Sequence, residues 1–103
     1  MYDIIDETLK IATERFKKFG FKEEQITKLL KSGKDDLEKE TLKLVEILKT
    51  QDIDIKKLND SLHALKGLCL NMGNNSLADK LVEFRDSLNT TKLDELKQIF
   101  KIK

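Results

Sequence analysis

Apolar residues recur at steps of three and four along nearly the whole chain, and the stripes break at glycines or short polar clusters, which predicts helices almost from end to end. The first stripe, Ile5, Leu9, Ala12, Phe16 and Phe19, sets one apolar face along residues 3–19 and stops at Gly20. After Phe21 a second stripe runs through Ile26, Leu29, Leu30, Leu37, Thr41, Leu44, Val45 and Leu48. Its phase holds across Gly33, so one helix over 23–50 is expected, the other possibility being a new helix started by Asp35 or Asp36. Beyond Thr50-Gln51-Asp52 the stripe Ile55, Leu58, Leu62, Leu65, Cys69 and Met72 predicts a helix over 54–72 that ends at Gly73. Asn74, Asn75 and Ser76 offer capping oxygens for a helix on Leu77, Leu81, Phe84 and Leu88. Asn89-Thr90-Thr91 repeats that stop and start before a last helix on Leu93, Leu96, Ile99 and Phe100.

Five or six one-sided helices with short connections predict an all-α fold. The expected arrangement is an antiparallel up-down four-helix bundle over about 21–103 with an additional N-terminal helix over 3–19, together one domain over 1–103. Composition agrees: 17 Leu and 9 Ile against 2 Val, with 4 Gly and no Pro, leave too little turn chemistry for a many-stranded sandwich or barrel. Met72 and the phenylalanines are expected in the core, and pairs such as Glu14–Lys18, Glu24–Lys28 and Asp35–Lys39 on outer faces. Lys+Arg 20 against Asp+Glu 19 gives a net charge of +1, so bulk charge points to neither nucleic acid nor membrane as a partner.

The inventory removes most chemistries. Cys69 is the single cysteine and lies on a buried stripe, which suits a small core residue; with one histidine it cannot build a zinc set, and no metal site is expected. Glycines at 20, 33, 67 and 73 fit no phosphate-cradling motif, so the chain carries no ATP site of its own. No apolar run approaches the ~20 residues needed to cross a bilayer, and the opening Met1–Asp6 is acidic where a signal peptide is basic, so a cytoplasmic location is expected.

One face carries candidate chemistry. On the helix over 54–72 the buried stripe leaves Lys56, Asn59, Asp60, His63, Lys66, Gly67 and Leu70 on the opposite side. Lys66 follows His63 at i+3, and Gly67 at i+4 opens a notch beside the ring. Glycine there costs the helix ~0.8–1.0 kcal/mol against alanine, which invites a reason outside helix stability. A neutral imidazole is a good nucleophile near neutral pH, and an adjacent ammonium can balance an attached phosphoryl group.

The segment His63-Ala64-Leu65-Lys66-Gly67, with Gly73 ten residues after the histidine, resembles the signature of histidine-containing phosphotransfer (HPt) domains. Leu77, four residues beyond Gly73, and the helical layout from about 21 to 103 fit the same family. The resemblance implies that His63 accepts and donates the phosphoryl group, that Lys66 stabilises its charge, that Gly67 keeps the surface open and that Gly73 ends the helix. Lys56, Asn59, Asp60, Gly67 and Leu70 then form the docking face for response-regulator receiver domains, with a hybrid sensor histidine kinase as a possible further partner. No cofactor is implied on this chain; Mg²⁺ is expected on the receiver. Leu68, Cys69 and Leu70 depart from the small residues usual after Lys-Gly, which implies altered packing or a more apolar contact surface.

Three readings stay open at the level of sequence. The chain is a phosphohistidine carrier rather than an autonomous enzyme, a helical adaptor that binds receivers or other partners without phosphoryl chemistry, or a purely structural bundle. A chain opening on Met1 and closing on a complete last helix is read as standalone, the alternative being a piece of a longer polypeptide.

Overall fold

The computed structural model describes residues 3–86 and 90–100, and these are arranged as five helices with no strand among them. They are α1 (Asp3–Lys18), α2 (Glu23–Lys49), α3 (Ile55–Asn71), α4 (Asn75–Asp86) and α5 (Thr90–Ile99). None of these helices is long and apolar enough to cross a membrane. The expected Leu88 and Asn89 lie outside the described residues.

Each predicted stripe becomes a packing face. The core is continuous through Ile5, Ala12 and Phe16 of α1, Leu37, Leu44, Val45 and Leu48 of α2, Leu58, Leu62, Leu65 and Cys69 of α3, and Leu81 and Phe84 of α4, with Leu96 and Phe100 joining from the C-terminal side. Neighbours in sequence are neighbours in space: α2 packs on α1, α3 on α2 and α4 on α3, while α4 and α5 meet over a shorter stretch.

Both glycines with positive φ close a helix in the same way. Gly20 (φ 80°) follows α1, where the Gly20 N–H donates to the Lys17 carbonyl and the Phe21 N–H to the Phe16 carbonyl. Gly73 (φ 86°) follows α3, with Gly73 N–H on Leu70 and Asn74 N–H on Cys69. These paired bonds satisfy the last carbonyls of the helix, and a left-handed residue is needed to make them. Asn74 then caps α4: its Oδ1 accepts from Leu77 N–H at 3.2 Å, while its Nδ2 donates to Thr8 Oγ1 at 2.8 Å. Thr8 in turn donates to the Ile4 carbonyl at 2.7 Å, so a buried polar chain ties α1 to the α3–α4 turn.

α2 is one helix across Gly33, as its phase predicts, and the glycine has a packing role. A Cβ there would lie 2.5 Å from Cε and 2.8 Å from Sδ of Met72, so α2 leaves out a side chain where the end of α3 crosses it. Residues 23–32 therefore run past the α3–α4 turn alongside α1, an overhang of about 15 Å at the usual helical rise. This overhang accounts for the departures from the expected core at that end of the molecule. Leu29 is exposed and Leu30 half-buried because α3 and α4 do not reach them. Phe19 sits at the C-terminal end of α1, where it is 64 % exposed; Phe21 instead packs edge-on against Phe16 across the turn, at 5.7 Å between ring centroids, and remains 40 % exposed. Ile55, the first residue of α3, is also exposed, because it lies just after the Asp54 cap and before the helix is enclosed.

Candidate functional site

The outward face of α3 is set by the burial of its inward one. Leu58, Leu62, Leu65 and Cys69 have essentially no exposure, and with a 3.6-residue period this turns His63 to solvent. Lys56, Asp60 and Leu70 are exposed on the same side, while Asn59, Lys66 and Gly67 are half-buried. The sequence-predicted residues thus share one face, although Asn59 is less available than the others: its Oδ1 is buried without a hydrogen-bond partner. Space around Gly67 is open, with nothing within 4 Å of the position a Cβ would take.

A second helix contributes a group that the motif does not contain. Arg85 of α4 places Nη1 3.2 Å from Nδ1 of His63, and its Nε lies 3.4 Å from Asp86 Oδ1. A guanidinium has donors only, so Nδ1 acts as the acceptor, and the neutral ring in this arrangement carries its proton on Nε2. The contact forms because α3 and α4 run antiparallel about the Gly73–Asn74 turn, which brings a residue ten before Gly73 opposite one eleven after Asn74. That register was a usable signal in the sequence, and so was rarity: the chain has 18 lysines but only two arginines, Arg15 and Arg85.

Lys66 and Arg85 set two cations beside His63, the lysine one turn along α3 from the imidazole and the arginine in contact with it. An anion of tetrahedral oxygens on His63 would meet a forked donor from Arg85 and a mobile point charge from Lys66. Cys69, directly behind this face, is sealed in the core, where burial pushes its thiol up to about 11, and it takes no part in the surface chemistry. No family model, curated protein or solved structure matches the chain.

Proposed function

We propose that the chain is an HPt-like phosphohistidine carrier, a four-helix bundle over about 21–103 preceded by an additional N-terminal helix, that relays phosphoryl groups between receiver-domain aspartates through His63. The observation that carries this reading is the exposed imidazole on a solvent-facing helix surface, with Arg85 at 3.2 Å and the open position of Gly67 one turn away. Such a face lets another protein's active site approach the ring without an enclosing pocket.

In the accepting step an imidazole nitrogen lone pair attacks the phosphorus of an aspartyl phosphate. The N–P bond forms, the P–O bond to the carboxyl oxygen breaks, the aspartate leaves as carboxylate and the ring N–H proton passes to water; the donating step is the reverse. For attack through Nε2 the proton there must first move to Nδ1, so Arg85 lets go of Nδ1, meets the phosphoryl oxygens during transfer and returns to Nδ1 once the phosphorylated ring has lost that proton. Lys66 supplies the second countercharge. Mg²⁺ and the acidic residues belong to the receiver, and this chain contributes a positioned nucleophile.

The test is incubation with a phosphorylated receiver and Mg²⁺. The expected product is an acid-labile, base-stable label on the chain, absent in His63→Gln. A label that survives in that variant overturns the proposal. Full biological function in His63→Gln would identify a helical adaptor instead.

A further inference from the structure

We propose that the α1–α2 tip docks on an anionic membrane surface. The residues Arg15-Phe16-Lys17-Lys18-Phe19-Gly20-Phe21-Lys22 hold four cations, three of the chain's five phenylalanines and no acid. Over residues 10–34 there are eight Lys or Arg against Glu14, Glu23 and Glu24, a net +5, which leaves −4 on the rest of a chain whose total is +1. The near-zero net charge thus conceals a separation of charge. The molecule measures 46 × 21 × 20 Å, and α2, 27 residues or about 40 Å long, follows the long dimension, so the basic segment lies at one end and most of the acidic excess elsewhere.

The same end presents apolar rings to solvent. Phe19 is 64 % and Phe21 40 % exposed, and their centroids are 6.4 Å apart, an edge-on pair on a turn where Gly20 has nothing within 4 Å of a Cβ position. Arg15 lies 5.4 Å from the Phe19 ring centroid and reaches back to the Leu70 carbonyl at 3.4 Å, which braces the ring in its outward position. Clustered exposed aromatics flanked by lysines match the requirements of a headgroup boundary, where rings enter the acyl edge and ammonium groups stay with anionic lipid. Lysine favours this partner over a defined peptide or nucleic acid site, because its compact charge gives little directional recognition, and three of the four cations here are lysines.

The experiment is sedimentation of the full chain with vesicles of phosphatidylcholine alone or with about 30 % phosphatidylserine, at about 0.1 M salt. Binding is expected only to the anionic vesicles. Replacing both Lys17 and Lys18 with Gln should weaken it about 30-fold, from the contribution of two basic residues at an anionic surface. Phe19→Ser, a change at an exposed site whose fold can be checked by circular dichroism, should weaken it about fivefold. His63→Gln should bind like wild type, so this result stands or falls apart from the phosphoryl chemistry. No sedimentation with anionic vesicles, equal sedimentation with both kinds, or undiminished binding by the two tip variants overturns the proposal. So does tighter binding of single-stranded RNA or an acidic peptide than of the vesicles at the same salt.

Discussion

Arg85 donates from Nη1 to Nδ1 of His63 across the α3–α4 interface, at 3.2 Å, and thereby decides which ring nitrogen carries the proton. In the wild-type protein the Nε2–H tautomer should be essentially the sole neutral form, and Arg85→Ala should free Nδ1 so that a minor Nδ1–H population appears beside it. Nitrogen-15 chemical shifts of the ring read the ratio directly. Identical shifts in the two proteins would show that the contact does not persist in solution.

A consequence for the phosphorylated state follows. With phosphorus on Nε2, the Nδ1 lone pair is free to accept from Arg85, and an occupied lone pair resists the protonation that makes imidazole a leaving group. Arg85→Ala should therefore shorten the lifetime of the phosphohistidine about threefold to tenfold in mildly acidic buffer, the loss of one charge-assisted hydrogen bond being the cause. Decay of labelled protein, followed in both variants, measures it.

Gly67 separates stability from transfer. Because nothing lies within 4 Å of its Cβ position, Gly67→Ala should stabilise α3 by ~0.5–1 kcal/mol, a rise of a few degrees in Tm. Gly67→Gln should fold normally and lose most phosphoryl transfer, since its side chain would cover the approach to His63. Normal transfer by Gly67→Gln would leave the glycine with no role in docking.

The chain from Leu77 N–H through Asn74 and Thr8 to Ile4 predicts a stability defect far from any candidate chemistry. Thr8→Val keeps the shape but leaves a buried Asn74 N–H without its acceptor, at a cost of ~1–3 kcal/mol. Denaturant unfolding of Thr8→Val, Asn74→Ala and the double variant should show coupling, with the double change costing less than the sum.

Cys69 gives a pH signature. Its thiol is raised from 9.0 to about 11 by burial, so between those values the unfolded chain loses a proton that the folded chain keeps. This contribution to stability is complete below pH 9 and disappears as pH climbs toward 11. Wild-type stability should fall more steeply across that window than that of Cys69→Ala. The native thiol should also resist alkylation until the protein unfolds.

The inward faces were legible because helical burial is periodic: Leu58, Leu62, Leu65 and Cys69 need only their spacing to be placed, and His63 follows as their opposite. The run of α2 through Gly33 was legible for the same reason, since phase survives a glycine. What periodicity cannot show is where a neighbour ends. Phe19 and Leu29 fit their stripes and still stand in solvent, because the α3–α4 turn stops short of them. The Arg85–His63 contact escaped the motif because it joins two helices. Reflecting the chain about Gly73–Asn74 is what brings positions 63 and 85 together.

The placement of α3 between α2 and α4 has a consequence in time. A helix enclosed by two partners exposes its amides when those partners separate, whereas α5 meets α4 over a shorter stretch and opens at the lower cost of uncovering Leu96 and Phe100. Amide exchange should therefore be slowest along the inner face of α3 and fast in α5. His63 is then mounted on the most slowly opening part of the molecule, and an incoming protein meets a surface that is already set.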